Sequence, residues 1–174
     1  MPNLSSNRVV DAQWESRCAS LWRDLDAMDP ADFVGRIDAL AQELPPGSAV
    51  ALFEQACARD STGHPDLAVP LYRSALAAGL TGLRRRRANV QLASSLRNLG
   101  HAIDAVTLLQ AELKAPSDEL DGAVRGFLAL ALADVGRERE ALREALHALA
   151  RTLPRYNRSL ARYADDLAGE PPRG

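Results

Sequence analysis

One segment of the sequence decides the fold, because it occurs three times. It reads QACARDSTGHPDLAVPLYR at residues 55–73, LASSLRNLGHAIDAVTLLQ at 92–110 and LALALADVGREREALREAL at 128–146. Each copy holds a glycine and, five residues later, an alanine; the alanines Ala68, Ala105 and Ala141 are 37 and 36 residues apart. Glycine ends helices well, since it accepts the left-handed backbone that a helix C-terminus often needs. A period of this size therefore predicts a stack of helical hairpins.

The two helices of each predicted hairpin have different apolar patterns. The first helix carries a leucine and a small residue, as in Leu92-Ala93 and Leu128-Ala129, which lets two helices approach closely. The second helix carries an apolar stripe, and we expect this stripe to be buried against its neighbours. The stripe residues are Leu67, Leu71, Tyr72 and Ala75, then Ile103, Val106, Leu109 and Leu113, then Leu142, Ala145, Leu146 and Leu149.

Composition is compatible with a single folded helical domain. Apolar residues make up 47% and charged residues 25% of the 174 residues, which is too apolar for a disordered chain. No segment alternates apolar and polar residues as a half-buried strand would. The net charge of -2 gives no overall attraction to nucleic acid or to an anionic membrane.

The segments on both sides of the repeats are predicted to be helical too. Residues 1–47 form an N-terminal helical hairpin or cap, in which Asp29 and Pro30 begin the second helix as N-cap and first-turn residue. Residues 48–154 form the three repeats, and 155–168 form a capping helix over the last one. We expect the tail 169–174 to be disordered.

The repeats resemble the tetratricopeptide repeat. That family shows an alanine followed four residues later by a large residue in its second helix, and a closing proline. The corresponding residues here are Ala68 with Tyr72, Ala105 with Leu109 and Ala141 with Ala145, followed by Pro154. The stretch 49–153 is similar to the divergent group 5 repeats found in bacteria. The resemblance implies an all-α fold of stacked antiparallel hairpins, a right-handed solenoid, that binds a peptide or partner protein in its concave groove.

The resemblance also indicates where a partner would bind. Arg87, Ser94, Arg97 and Asn98 fall on the side of the second repeat's first helix that lines the groove in this family, and Gln91 borders it. These side chains supply donors at helical spacing, suited to a carboxylate or to the main chain of an extended peptide. The chaperone-binding members' carboxylate clamp is absent, since Phe53 and Cys57 stand in its place. Phe53 is instead expected to give the groove an apolar contact, although a core position is its commoner use.

Two other arginine clusters have a less specific interpretation. We expect the run Arg84–Arg87 to be a solvated cluster, apart from Arg87 itself. The stripe Arg151, Arg155, Arg158 and Arg162 is interpreted as the solvent-exposed face of the capping helix. The alternative is that it contacts RNA or an acidic protein. Nucleic acid is not the expected partner, because no nucleic-acid motif accompanies these charges. Self-association as a homodimer is retained as a further alternative.

No motif for catalysis or for metal binding is present. The sequence lacks G-x-S-x-G, a P-loop, H-E-x-x-H and paired C-x-x-C, so we expect no enzyme, no cofactor and no metal. His64 and His101 follow equivalent glycines and are interpreted as turn or helix-start residues. Cys18 and Cys57 are expected to be buried hydrophobes without a disulfide, in a cytoplasmic protein that has no membrane span.

Overall fold

The structure is a computed structural model that describes residues 10–167, and all regular secondary structure within that range is helical. The predicted tail 169–174 lies outside the described residues. The nine α-helices of the described range are α1 Ala12–Arg23, α2 Pro30–Ala41, α3 Ala49–Ser61, α4 Pro65–Ala77, α5 Gly82–Asn98, α6 Ala102–Glu112, α7 Asp121–Asp134, α8 Glu138–Ala150 and α9 Asn157–Leu167. A short 3-10 turn, Leu25–Ala27, follows α1. Consecutive helices pack on one another from α1 to α4 and from α6 to α9, so the all-α hairpin prediction is confirmed.

The chain forms two compact units, with the boundary between Arg84 and Arg85 inside α5. In unit 1, α1 packs on α2, α2 on α3 and α3 on α4. Trp14 is 2% exposed and donates its indole N–H to the carbonyl oxygen of Leu40 over 2.9 Å. Trp22 meets Phe33 edge-on, with ring centroids 5.0 Å apart. These aromatic side chains anchor the N-terminal hairpin of unit 1.

In unit 2, α6 packs on α7, α7 on α8 and α8 on α9. The carboxylate of Glu112 connects α5 with α6, because it accepts hydrogen bonds from Asn89 over 2.7 Å and from Arg85 over 2.8 Å. Glu112 is only 4% exposed. A buried carboxylate needs such donors, since an unpaired buried charge is costly.

The three repeated glycines end their helices in the same way. Their φ angles are +84° at Gly63, +84° at Gly100 and +74° at Gly136, in the left-handed region that residues with a Cβ avoid. The amide after each glycine donates to a carbonyl five residues earlier: His64 to Arg59, His101 to Leu96 and Arg137 to Leu132, over 2.8–2.9 Å. This is a Schellman cap. His64 and His101 therefore stand at helix starts, as predicted.

The repeated alanines occupy equivalent buried positions. Ala68 and Ala105 are 0% exposed and Ala141 is 7% exposed. The expectation that the whole stripe of the second helices is buried is wrong, however. Four of its members are about half exposed or more: Leu67 51%, Ile103 74%, Leu142 50% and Leu149 48%. The apolar stripe is wider than the face that the neighbouring helices cover.

Both cysteines are buried and neither forms a disulfide. Burial, followed by the nearby carboxylate of Glu54, raises the pKa of Cys18 to about 12. The thiol is therefore neutral at ordinary pH. Within residues 10–167 no helix has the length and the apolar character that crossing a membrane requires.

Candidate functional site

Helix α5 buries one side and presents the predicted polar residues on the other. Its apolar residues Ala88, Leu92, Ala93 and Leu96 are at most 5% exposed. Of the predicted site residues, Arg87 and Asn98 are exposed, while Gln91, Ser94 and Arg97 are partly exposed. These five residues therefore lie together on α5. All five belong to unit 2, which begins at Arg85. Ser94 and Asn98 make no side-chain hydrogen bond to any described residue, so their polar groups are available.

Helix α7 supplies two residues beside this polar row that the sequence reasoning missed. Arg97 forms an ion pair with Asp134, the last residue of α7, and one of its donors lies 3.4 Å from Oδ1. One helical turn before Asp134 stands Leu130, which is 46% exposed. A shift of 36 residues, the period between Ala105 and Ala141, relates Leu130 to Ser94 and Asp134 to Asn98. That period was the signal that could have found them.

We refer to the residues Arg87, Gln91, Ser94, Arg97, Asn98, Leu130 and Asp134 as the α5/α7 surface. It combines side-chain donors on α5 with an exposed aliphatic side chain and a carboxylate on α7. The ion pair between the guanidinium of Arg97 and Asp134 joins the two rows. Its side chains are 29% and 38% exposed, so solvent screens the pair and its contribution to stability is small.

The other three arginines of the run form ion pairs instead of a merely solvated cluster, which corrects the sequence interpretation. Arg84 bridges the carboxylates of Glu15 and Glu54 within unit 1, at 2.6 Å and 3.1 Å. The hydrogen bond to Glu15 is the main reason why the pKa of Arg84 is raised. Arg85 pairs with Glu112. Both arginines neutralise carboxylates that are about 5% exposed, so they are structural residues.

Arg86 is the most deeply placed of the four, at 4% exposure. It donates to the carbonyl oxygen of Pro116 over 2.6 Å and to the carboxylate of Asp121 over 2.5 Å, and its Nε lies 3.3 Å from Asp118. Hydrogen bonding from Ser117, aided by the charges of Arg151 and Arg86, lowers the pKa of Asp121. Arg86 thus holds the loop between α6 and α7 against α5.

Phe53 does not lie on an accessible surface. It is 0% exposed in unit 1 and packs beside Tyr72, with ring centroids 6.4 Å apart. A ligand cannot touch this ring while the hydrophobic core is intact. Phe53 is therefore a core residue, and the expectation that it lines a groove is corrected.

The C-terminal arginines do reach solvent. Arg155, Arg158 and Arg162 are exposed, and within residues 10–167 they form no ion pair. The guanidinium of Arg162 lies 5.1 Å from the centroid of the Tyr163 ring. His147 contacts Asp165 over 2.9 Å, and this hydrogen bond, with that of Arg143, lowers the pKa of Asp165. In the described part of the chain, no three histidine, cysteine or carboxylate side chains form a group that could hold a metal ion.

The helix order and the repeated caps define an all-helical repeat protein. A family model described as tetratrico peptide repeat matches residues 49–167. The chain belongs to the tetratricopeptide-repeat family. The match includes α9, which the sequence interpretation had placed in a separate cap; the partition into 1–47, 48–154 and 155–168 stays a prediction. Neither the curated proteins nor the solved structures compared with the chain gave a match.

Family membership supports a general role in protein interaction. Proteins with these repeats typically bind protein partners and generally act as non-catalytic scaffolds. The arrangement of the α5/α7 surface is chemically suited to such a role, because its donors and its apolar side chain stand on two helices that the Arg97–Asp134 ion pair joins. Within the described residues it contains no nucleophile paired with a base, which hydrolytic chemistry would require.

Proposed function

We propose that the chain binds an extended peptide of a partner protein on the α5/α7 surface. The observation that carries the proposal is the ion pair between Arg97 on α5 and Asp134 on α7, since Leu130, about half exposed, lies one helical turn before Asp134. The polar groups hold the peptide main chain or a carboxylate, and Leu130 contacts an apolar side chain of the peptide. Interfaces in which a few polar groups orient an apolar contact are typical of peptide recognition.

Two features support a binding surface over a purely structural one. Ser94 and Asn98 have polar side chains with no partner among the described residues, so a peptide can use their donors and acceptors without breaking an internal bond. The Arg97 ion pair is about one third exposed, and a peptide carboxylate can compete with Asp134 for the guanidinium. Charge-assisted hydrogen bonds of this kind are stronger than neutral ones.

The test begins with selection of a peptide from a displayed library, with the whole chain as bait, followed by calorimetry with the synthetic peptide. The double variant Arg87→Ala and Arg97→Ala is expected to weaken binding about tenfold or more, since it removes two charged donors. Its melting temperature is expected to stay close to that of the wild type, because exposed charges contribute about 0 to 1 kcal/mol to folding.

The control is the double variant Arg36→Ala and Arg73→Ala in unit 1, which removes the same charge. Both residues are exposed and form no ion pair within residues 10–167. Arg84 and Arg85 are unsuitable controls, because their loss would remove the arginines that neutralise the buried carboxylates of Glu54 and Glu112. Equal weakening by the control and the site variant would show that the peptide responds only to net charge, and the proposal would be wrong.

A second candidate function is self-association through the outer side of α8. Leu142 and Leu149 are seven residues apart, so they share one face of the helix, and each is about half exposed. Burial of both in a dimer would be favourable by the hydrophobic effect. Sedimentation velocity over a range of concentrations tests this, and a dimer that the double variant Leu142→Ser and Leu149→Ser abolishes would support it. A monomer at all concentrations would exclude it.

A further inference from the structure

A cleft of about 260 Å³ opens in unit 2 beside α7, the second half of α8 and the first turns of α9. Arg125, His147, Arg151 and Arg158 bring basic groups to it, and the methyl groups of Ala150 and Ala161 form its apolar part. No carboxylate is among the described residues that line it. Three guanidinium groups around one small cavity, with an imidazole beside them, are a concentration of positive charge and hydrogen-bond donors that packing alone does not require.

The three arginines keep most of their donors available. Arg125 pairs through Nη1 with Glu144, and Arg151 pairs through Nη1 with Asp121 at 2.9 Å. A guanidinium carries five N–H groups, so one ion pair leaves at least three of them. Arg158 forms no ion pair with any described residue. The cleft thus offers one unengaged guanidinium and two that are held in place by their carboxylates.

The carboxylates beneath the cleft do not cancel this charge. Glu144 is 5% exposed and is shared by Arg125 and Arg143. Asp121 is 9% exposed and is shared by Arg86 and Arg151. Each buried carboxylate therefore faces two arginines. The carboxylate of Asp165, which contacts His147, is also shared with Arg143. An additional anion in the cleft would meet positive charge on several sides.

The number of donors and the volume indicate the kind of anion. A phosphate monoester carries about -1.5 to -2 charges at neutral pH and three terminal oxygens that accept hydrogen bonds. Three guanidinium forks match three such oxygens, whereas a carboxylate has two oxygens and one charge. The cleft has a volume of about 260 Å³. That space accommodates a phosphoryl group together with part of the molecule that carries it.

We propose that this cleft, lined by Arg125, His147, Arg151 and Arg158, binds a phosphate monoester. The carrier is a small phosphorylated molecule or a phosphorylated side chain of a protein, and both present the same group. The cleft shares no residue with the α5/α7 surface. Failure of peptide binding there would leave this proposal intact, and failure here would leave the peptide proposal intact.

Calorimetry with the full chain tests the proposal. The probes are inorganic phosphate, O-phosphoserine, a short peptide with one phosphoserine, its unphosphorylated form, and the same peptide with glutamate in place of phosphoserine. We expect saturable binding of the phosphorylated probes and at least tenfold weaker binding of the glutamate and serine peptides. A phosphopeptide that binds tenfold more tightly than O-phosphoserine identifies a protein as the carrier. Similar affinities for the two identify a small molecule.

The site is located by two variants that remove the same charge. Arg158→Gln is expected to weaken binding of the phosphorylated probes about tenfold, whereas Arg155→Gln is expected to change it less than twofold. Arg155 is an exposed neighbour that does not line the cleft. Neither arginine has an ion pair among the described residues, so both variants are expected to fold. Arg125 is not substituted, because its loss would leave the buried carboxylate of Glu144 with one arginine, Arg143, in place of two.

A second measurement shows which guanidinium groups respond. The side-chain Nε–H signals of Arg125, Arg151 and Arg158 are expected to shift in NMR spectra on addition of phosphate, and that of Arg73 in unit 1 is not. Absence of saturable phosphate binding, or equal weakening by the two variants, would overturn the proposal. So would tighter binding of a single-stranded RNA that depends on Arg155 as much as on Arg158, since that result indicates a diffuse basic surface.

Discussion

Two adjacent arginines in the run Arg84–Arg87 are expected to differ strongly in how much the same substitution lowers the stability of the protein. Arg86→Met should destabilise the protein strongly, and Arg87→Met should change its stability little. Methionine keeps much of the side-chain volume, so the comparison isolates the guanidinium group. Arg86 is 4% exposed and Arg87 lies on the solvent-exposed side of α5.

The magnitude follows from the partners of Arg86. Its loss removes the donors to Pro116 and to Asp121, and the carboxylate of Asp121 stays in a buried position. Breaking one side of a buried ion pair costs about 3 to 5 kcal/mol. Asp121 retains Arg151 and Ser117, so the lower end of that range, about 3 kcal/mol, applies here. For a chain of this size the loss corresponds to roughly 6 to 12 °C in melting temperature. The cost of Arg87→Met is about 0 to 1 kcal/mol.

Urea unfolding followed by circular dichroism measures both effects. Hydrogen exchange of the amides between residues 113 and 121 adds a local measurement, since Arg86→Met is expected to release the loop between α6 and α7 while Arg87→Met leaves its protection unchanged. Unfolding free energies of the two variants that agree within about 0.5 kcal/mol would refute the reasoning, because burial of the guanidinium would then have no bearing on its contribution to stability.

Three further predictions concern the repeat geometry and the core. Replacing Ala68 or Ala105 by leucine is expected to lower the free energy of unfolding by about 1 to 3 kcal/mol, because both positions are 0% exposed. Thermal melts that neither substitution changes would contradict the interpretation that the two alanines occupy equivalent close-packed positions. Gly100→Ala is expected to cost about 1 to 2 kcal/mol, since φ is +84° there. Gly126→Ala inside α7, where an added Cβ meets nothing within 4 Å, should stabilise by about 0.5 to 1 kcal/mol. A stabilising Gly100→Ala together with a destabilising Gly126→Ala in denaturant titrations would contradict the assignment of Gly100 to a helix cap. The pKa of Cys18 is raised to about 12 in the folded state, so its contribution is complete below about pH 9 and is lost as pH rises toward 12. Stability measured between pH 9 and 11 should accordingly fall less steeply in Cys18→Ala, and parallel curves for variant and wild type would show that the thiol plays no part.

The candidate site was predictable only in part. The polar side of α5 followed from helical spacing, and five of the six predicted residues lie on that helix. Leu130 and Asp134 were missed, although the 36-residue period relates them to Ser94 and Asn98. Phe53 was misplaced, because the sequence does not show which side of an apolar helix meets a neighbour. Peptide binding at these residues stays a prediction.

The repeat architecture was determined by the sequence itself. A glycine that accepts a positive φ and an alanine that permits close packing act within a few residues of their own position, so their spacing alone indicates helix ends and helix contacts. The roles of the arginines were decided by the tertiary structure. Arg86 meets Asp121, 35 residues further along the chain, and Arg84 meets Glu15, 69 residues away. Only folding brings such partners together, and burial then separates a structural charge from one that remains exposed to solvent.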